Sequence, residues 1–320
     1  MRVVYSGSPY LAEVRFAPDG ALLAVHAGAG GDGWQFRDAR SDDLRLVGKA
    51  GGYATWYHGL GRAADGRWLA WRKRWSAGSG EDVFLIDLRD VAARLPAEPL
   101  PQDDPTDLPR IRLGCRTRGG PPTLGRIRPL VAVMGPDGLE VWDCDRLRPV
   151  LKADGVRSHF VAEARPHAEP RLSFSADDRL LAVAAEVPEV LLLDAATGEE
   201  VGRLPHPCKV HWAVFGPAGG LLATVGVGGR SVRLWDTATR KCIAQFKGLP
   251  SWCLRPLFQP SGRLLMTASV ERVFIWDTVA LREVGRYDWD VGRVAALDFA
   301  PDGQTAAAVG MGKVVVWDMA

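Results

Sequence analysis

No apolar run in this sequence approaches the roughly 18 residues that a membrane-spanning helix requires. None of its five cysteines (Cys115, Cys144, Cys208, Cys242 and Cys253) stands at Cys-x-x-Cys spacing, and their number is odd. That argues against a disulfide framework and a standard zinc ribbon. Met1 to Tyr10 has no apolar stretch of signal-peptide length. The expectation is a cytoplasmic protein whose thiols serve mostly as small core residues. Net charge is nearly absent too: 40 Lys and Arg against 38 Asp and Glu leave +2, which argues against life on a nucleic-acid backbone or an anionic membrane. Catalytic signatures are missing: there is no Gly-x-Ser-x-Gly, no His-Glu-x-x-His and no Walker glycine loop.

What is present is turn chemistry and bulk. The 320 residues include 36 Gly, 22 Pro and 12 Trp, with 47% hydrophobic residues. That is apolar mass for a full core, interrupted by many turns, and it points to an all-β chain.

The chain repeats itself. Phe16-Ala-Pro18-Asp19-Gly20 recurs as Phe299-Ala-Pro301-Asp302-Gly303, with weaker copies at Phe174-Ser-Ala-Asp177-Asp178, Phe215-Gly-Pro217-Ala-Gly219, Phe258-Gln-Pro260-Ser-Gly262 and Ala64-Asp65-Gly66. Pro presets φ, Asp or Ser bonds its own backbone and Gly accepts φ > 0, so each copy is a hairpin. An apolar strand follows, as in Leu22–Val25 or Leu180–Val183. A second motif, Val232-Arg-Leu-Trp235-Asp236, returns at Val273–Asp277 and Val314–Asp318, 41 residues apart each time, and Leu139–Asp143 is a further copy. Degenerate versions end at Asp38, Asp87 and Asp194, which makes seven strand-ending aspartates.

Each period has room for four short strands, so the pattern predicts a seven-bladed β-propeller of four-stranded antiparallel blades, one domain over residues 1–320. Arg2-Val-Val-Tyr5 is one strand too many at the start, and the last repeat lacks an outer strand. Pairing the two closes the ring and leaves no sheet edge at the junction. Residues 94–128 are read as an insertion between the second and third blades.

The Trp-Asp endings resemble the WD-repeat family along essentially the whole chain, in a divergent, bacterial style. The resemblance implies a rigid interaction platform without cofactor or catalysis, monomeric, docking a protein or peptide. It also implies a Gly-His pair before each inner strand and a turn Asp, joined in a buried network. Here only His206 sits at the His position, after Pro205, and the fifth repeat has Gly228-Gly-Arg230 where the Asp belongs.

The repeats serve as an internal alignment. Six residues before the hairpin Phe stand Tyr10, Trp56, Ala168, Lys209, Trp252 and Arg293; four before stand Ala12, His58, Pro170, His211, Leu254 and Ala295. Both columns are mostly non-aliphatic and lie where the chain enters the inner strand, near the channel mouth. In WD-repeat proteins, by resemblance, that face binds partners. Tyr10, Trp56, His58, Lys209, His211, Trp252 and Arg293 are therefore the candidate partner-binding residues. Trp142, Trp235, Trp276 and Trp317 are read as packing residues. Trp212 aligns with Glu13, Arg171 and Arg255, which points it to solvent.

Two alternatives compete. His206, Cys208 and His211, with His58, gather metal-ligand types and raise a propeller enzyme or metal-binding protein, though extended backbone puts 206 and 208 on one face and 211 on the other. Six arginines (110, 112, 116, 118, 126 and 128) run from Pro109 to Gly135 without an acid, which raises RNA. Few aromatics accompany them for base stacking, and a loop whose arginines pair with Asp103–Asp107 is the preferred reading.

Overall fold

The computed structural model describes residues 1–5, 11–16, 20–27, 34–44, 46–50, 57–62, 68–74, 81–87, 111–117, 122–135, 137–154, 171–250, 253–269, 272–288 and 291–319. Among them there is no helix, and so none long and apolar enough to cross a membrane.

Strand β1 (Arg2–Tyr5) precedes a series of meanders. The first sheet is β2 (Leu11–Phe16), β3 (Leu22–Ala27), β4 (Trp34–Asp38) and β5 (Leu46–Ala50); the second is β6 (Tyr57–Arg62), β7 (Trp68–Arg74), β8 (Glu81–Asp87) and β9 (Ile111–Thr117). The third is β10 (Thr123–Leu124), β11 (Leu130–Met134), β12 (Gly138–Asp143) and β13 (Arg148–Asp154); the fourth is β14 (Arg171–Phe174), β15 (Leu180–Ala184), β16 (Glu189–Asp194) and β17 (Glu200–Pro205). The fifth is β18 (Val210–Phe215), β19 (Leu221–Gly226), β20 (Ser231–Asp236) and β21 (Lys241–Lys247); the sixth is β22 (Leu257–Phe258), β23 (Leu264–Ser269), β24 (Arg272–Asp277) and β25 (Arg282–Asp288). The seventh joins β26 (Val294–Phe299), β27 (Thr305–Gly310) and β28 (Lys313–Asp318) to β1 at its outer edge. Every sheet has four antiparallel strands.

Local chemistry explains the spacing. All seven aspartates read as strand ends do end strands: β4, β8, β12, β16, β20, β24 and β28. In five of them, Asp38, Asp143, Asp194, Asp236 and Asp277, the carboxylate accepts backbone N–H groups from the following turn, as Asp194 does from Ala196 and Thr197 at 2.8 and 2.9 Å, and Asp277 from Val279 and Ala280 at 2.9 and 2.8 Å. An extended strand cannot continue through such a self-bonded turn. The hairpin phenylalanines Phe16, Phe174, Phe215, Phe258 and Phe299 are all buried.

In the seventh sheet Val3 pairs with Val315 and Val4 with Val314. The Arg2 guanidinium reaches the Ala39 and Ser41 carbonyls of the first sheet. Shared apolar cores then join the seventh sheet to the first, the second to the third, the third to the fourth, and so on to the sixth and seventh. Trp142, Trp235, Trp276 and Trp317 are buried in these seams, each against the preceding sheet.

Polar ties cross the seams as well. Asp298 Oδ2 accepts the Phe16 N–H at 2.8 Å, Ser173 Oγ accepts the Phe215 N–H at 3.1 Å, and Gln259 Nε2 donates to the Gly303 carbonyl at 2.7 Å. The heaviest tie is Asp178, which is fully buried. Its Oδ1 accepts the Arg126 N–H at 2.5 Å, and its Oδ2 accepts those of Ile127 and Arg128, both at 2.7 Å. Gly125 makes room for this: a Cβ there would lie 2.6 Å from the Arg128 carbonyl oxygen and 3.0 Å from Asp178 Oδ2.

One difference from the sequence reading stands out. Residues 111–117, inside the stretch read as an insertion between the second and third blades, form β9, which pairs with β8 as the fourth strand of the second sheet. The Pro-rich composition of residues 94–109 hid a strand just beyond it. The expected acidic partners of the arginines there, Asp103–Asp107, lie outside the described residues; two of the arginines have contacts elsewhere. Arg112 bridges Asp82 of the adjacent strand at 2.9 Å, and Arg126 Nη2 crosses to the Phe215 carbonyl at 2.7 Å. Arg116 lies in β9, while Arg110 and Arg118 lie outside the described residues.

Outer edges carry a regular irregularity. Val47, Val150, Val201, Ile243 and Val284 are each the extra residue of a bulge where the fourth strand meets the third. The last four are exposed by 42–49%. A bulge kinks an edge strand and discourages pairing with another chain.

Candidate functional site

In three of the sheets the column four residues before the hairpin Phe has a physical basis: it is a bulge. Register slips between Leu11 and Glu13, between Val210 and Trp212, and between Val294 and Ala296, leaving Ala12, His211 and Ala295 as the extra residues. A bulged residue is re-aimed relative to the pleat. His58 adjoins a similar shift in β6, between His58 and Gly61.

In the fifth sheet this device builds a cluster. His211 Nδ1 stands 3.4 Å from Glu186 Oε1, in the β15–β16 turn, and 3.4 Å from Arg171 Nη1, at the start of β14. The Trp212 ring meets the His211 ring edge-on at 5.7 Å. The Arg171 guanidinium lies 4.4 Å from the Trp212 ring centroid, and that of Arg255, from the sixth sheet, lies at 6.0 Å. Arg171, Trp212 and Arg255 occupy one column of three successive sheets, so a row that the alignment placed side by side is a physical row. A guanidinium beside an indole ring is held by cation–π attraction. Trp212 is thus half-buried between two cationic neighbours, not turned to bulk solvent.

Lys209 is exposed on the link into β18, and its carbonyl accepts the Val227 N–H at 2.7 Å. Arg293 is exposed at the equivalent place before β26. Both sit at the sheet end where His211 lies. Tyr10, Trp56 and Trp252 lie outside the described residues, and His58 is placed only as part of β6. The structure therefore brings Lys209, His211 and Arg293 to one end of the fifth and seventh sheets. Sequence reasoning missed Glu186, whose turn carries no repeat motif, and it saw Arg171 and Arg255 only as column companions of Trp212.

Of the metal-ligand types, His206 and Cys208 adjoin each other and His211 turns elsewhere, while the His58 side chain lies outside the described residues. His206 Nδ1 faces the Cys208 carbonyl at 2.9 Å and the Cys208 thiol at 3.4 Å, while His211 faces Glu186. Among the described residues no group of three or more His, Cys, Asp or Glu is placed to hold a metal ion. Cys115, Cys144 and Cys253 are buried and Cys208 and Cys242 exposed. Burial pushes the Cys115 and Cys253 thiols up to about 12, so neither is a thiolate nucleophile near neutral pH.

His206 itself belongs to the packing. It is 7% exposed, and its ring lies 6.1 Å from that of Trp235, whose Nε1 donates to Thr224 Oγ1 at 2.9 Å. The expected turn Asp is absent from the fifth repeat, and the hydrogen-bond contacts of the His206 ring among the described residues are to Cys208, not to a carboxylate. Burial lowers the His206 pKa to about 4 from 6.5. The unfolded chain takes up this proton first as pH falls. Stability from this group is therefore complete above about pH 6.5 and is lost toward pH 4. The expected loss is about 2 kcal/mol. Urea unfolding at pH 7 and pH 4.5 checks it: His206→Phe should flatten that interval, and an equal slope in both proteins would refute the assignment. Below about pH 4 a second decline follows, because turn N–H groups hold the Asp194 and Asp277 carboxyls below their ordinary value.

No family model matches the chain. It is similar to apoptotic protease-activating factor 1 of Homo sapiens, 28% identical over 158 residues, which is 47% of this chain and 12% of that protein. It is also similar to eukaryotic translation initiation factor 3 subunit I of Emericella nidulans, 26% identical over 144 residues, 45% of this chain and 39% of the relative. A third relative, the U3 small nucleolar RNA-associated protein 15 homolog of Xenopus tropicalis, is 30% identical over 121 residues, 36% of this chain and 22% of its own length. These relatives are WD-repeat proteins, and the matched segments span less than half of each.

Proposed function

We propose that the seven sheets close into a single seven-bladed WD-repeat propeller over residues 1–320, and that it works as a non-catalytic, cytoplasmic and monomeric interaction scaffold. The docking face is the end at which each first strand begins. It carries Lys209, His211 and Arg293, with Tyr10, Trp56, His58 and Trp252 at equivalent sequence positions. The observation that supports this most is the row Arg171, Trp212 and Arg255 on three successive sheets. Aromatic and arginine side chains held in place by their neighbours are the composition of interface anchors. A surface preorganised in this way loses little side-chain freedom on binding. The WD-repeat relatives favour a protein partner over a small substrate.

The test is co-purification from cells expressing the tagged protein, comparing wild type with the Lys209→Glu/Arg293→Glu double variant. Both residues are exposed, so the variant should melt as wild type does. Loss of a stoichiometric partner from the folded variant is the expected result. An identical partner set would reject this face.

A further inference from the structure

His211 meets two partners of opposite sign at a single atom. Its Nδ1 stands 3.4 Å from Arg171 Nη1 and 3.4 Å from Glu186 Oε1. A guanidinium only donates and an ionised carboxylate only accepts, so the first needs a lone pair on Nδ1 and the second needs an N–H. One nitrogen cannot serve both at once, and both contacts are longer than the usual N–H···O distance of about 2.9–3.0 Å. Two of the three parts are fixed by backbone. The Glu186 N–H donates to the Val210 carbonyl at 3.0 Å and the Val210 N–H to the Val187 carbonyl at 2.9 Å, which ties the β15–β16 turn to the residue before His211. His211 is itself the extra residue of a bulge. The third part, the Arg171 guanidinium, ends a long flexible side chain and lies 4.4 Å from the Trp212 ring centroid. Further charges stand at these sheet ends. Arg255 reaches the same indole at 6.0 Å and Lys209 is exposed two residues before His211. Glu189 is bound to Arg203 at 2.8 Å, and Asp288 lies 3.5 Å from Arg272.

We propose that His211 is a proton switch on the seam between the fourth and fifth sheets. Unprotonated, its Nδ1 accepts from Arg171 and helps to hold that guanidinium over Trp212. Protonated, both ring nitrogens are donors. The Nδ1–H then goes to Glu186, and the imidazolium repels Arg171 from its place beside the indole. Glu186 favours the charged ring and Arg171 opposes it, so the two partners pull the titration in opposite directions. Histidine is the side chain that ordinarily changes charge between about pH 5 and 8, so the exchange falls in a range that cells reach. Arg171 and Trp212 belong to the row on which the docking face leans, but the switch needs no bound partner and is tested apart from that reading.

Nuclear magnetic resonance of the isotope-labelled full chain, from about pH 8 down to pH 5, tests this. The imidazole nitrogen shifts of His211, assigned with His211→Gln, should show Nδ1 bare at the alkaline end and protonated at the acid end. Overhauser contacts between the Arg171 methylenes and the Trp212 ring should weaken with the same midpoint, and in His211→Gln they should not change with pH. Glu186→Gln should lower the His211 midpoint and Arg171→Gln should raise it, each by about half a pH unit or more. A proton that sits on Nδ1 at the alkaline end would overturn the switch. So would Arg171–Trp212 contacts that are constant across the titration, or a midpoint indifferent to both substitutions. If either variant fails to fold, the two wild-type measurements decide the matter by themselves.

Discussion

Asp178→Ala is expected to cost about 3–5 kcal/mol, as large an effect as one side chain outside the apolar core can have here. The carboxylate is fully buried and accepts three consecutive backbone N–H groups of residues 126–128. Alanine would leave those donors facing an apolar side chain, and a buried donor without an acceptor bears its full desolvation cost. The loss is not local to one sheet. Asp178 belongs to the β14–β15 turn, whereas its donors belong to the β10–β11 turn of the third sheet. Arg126 from the same turn continues to the Phe215 carbonyl of the fifth. Three sheets should therefore loosen together. Urea unfolding should show a lower midpoint, and amide hydrogen exchange should rise first at residues 126–131. Asp178→Asn keeps one carbonyl oxygen and should fall between the two. A midpoint within 0.5 kcal/mol of wild type for Asp178→Ala would mean that the turn is held by other contacts.

Excision of residues 1–5 is the second change with a large expected effect. β1 covers the outer edge of β28 through the pairs Arg2 with Val316, Val3 with Val315 and Val4 with Val314. Without it, Val314, Val315 and Val316 lose a hydrogen-bonded neighbour and become an unpaired β-branched edge. Such an edge templates pairing with another chain. The expected loss is about 3–5 kcal/mol, from several ladder hydrogen bonds and the burial that accompanies them. A concentration-dependent rise in apparent mass should accompany it, read by light scattering. Val4→Pro should act in the same direction within the full chain, since proline removes a donor and disfavours the middle of a ladder. A truncated protein of unchanged mass and stability would show that β1 is dispensable, and would also weaken the proposal of a ring sealed at this seam.

Much of the architecture was legible because it is written in short segments. The turn after each Trp-Asp ending, the Phe-x-Pro-Asp-Gly hairpins and the alternation between them fixed the strands and their order, down to the seven aspartates at which third strands stop. The surplus N-terminal strand was legible by the same count, and it does pair with β28. β9 was not, since an insertion rich in proline separates it from its repeat and breaks the period. Asp178 was visible only as an imperfect copy of the hairpin. It holds the place of Gly20, Gly219, Gly262 and Gly303, with a φ of 56° beside their 68–79°. An L-residue in that left-handed position is uncommon, and this was the available signal that its carboxylate has work elsewhere.

The candidate site divides in the same way. The sequence by itself determined the columns, the seven-fold repetition and the residues exposed on the links into β18 and β26, because each follows from turn chemistry within a few positions. Only the tertiary structure decided that Trp212 lies between Arg171 and Arg255, that His211, itself the extra residue of a bulge, faces Glu186, and that the 126–128 turn hangs on Asp178. Those partners sit on different sheets, from about half a repeat to more than one repeat apart in the chain. Lateral packing between sheets depends on side-chain shape and charge at contacts that no local pattern encodes, so a repeat can announce its strands without announcing what each strand will touch.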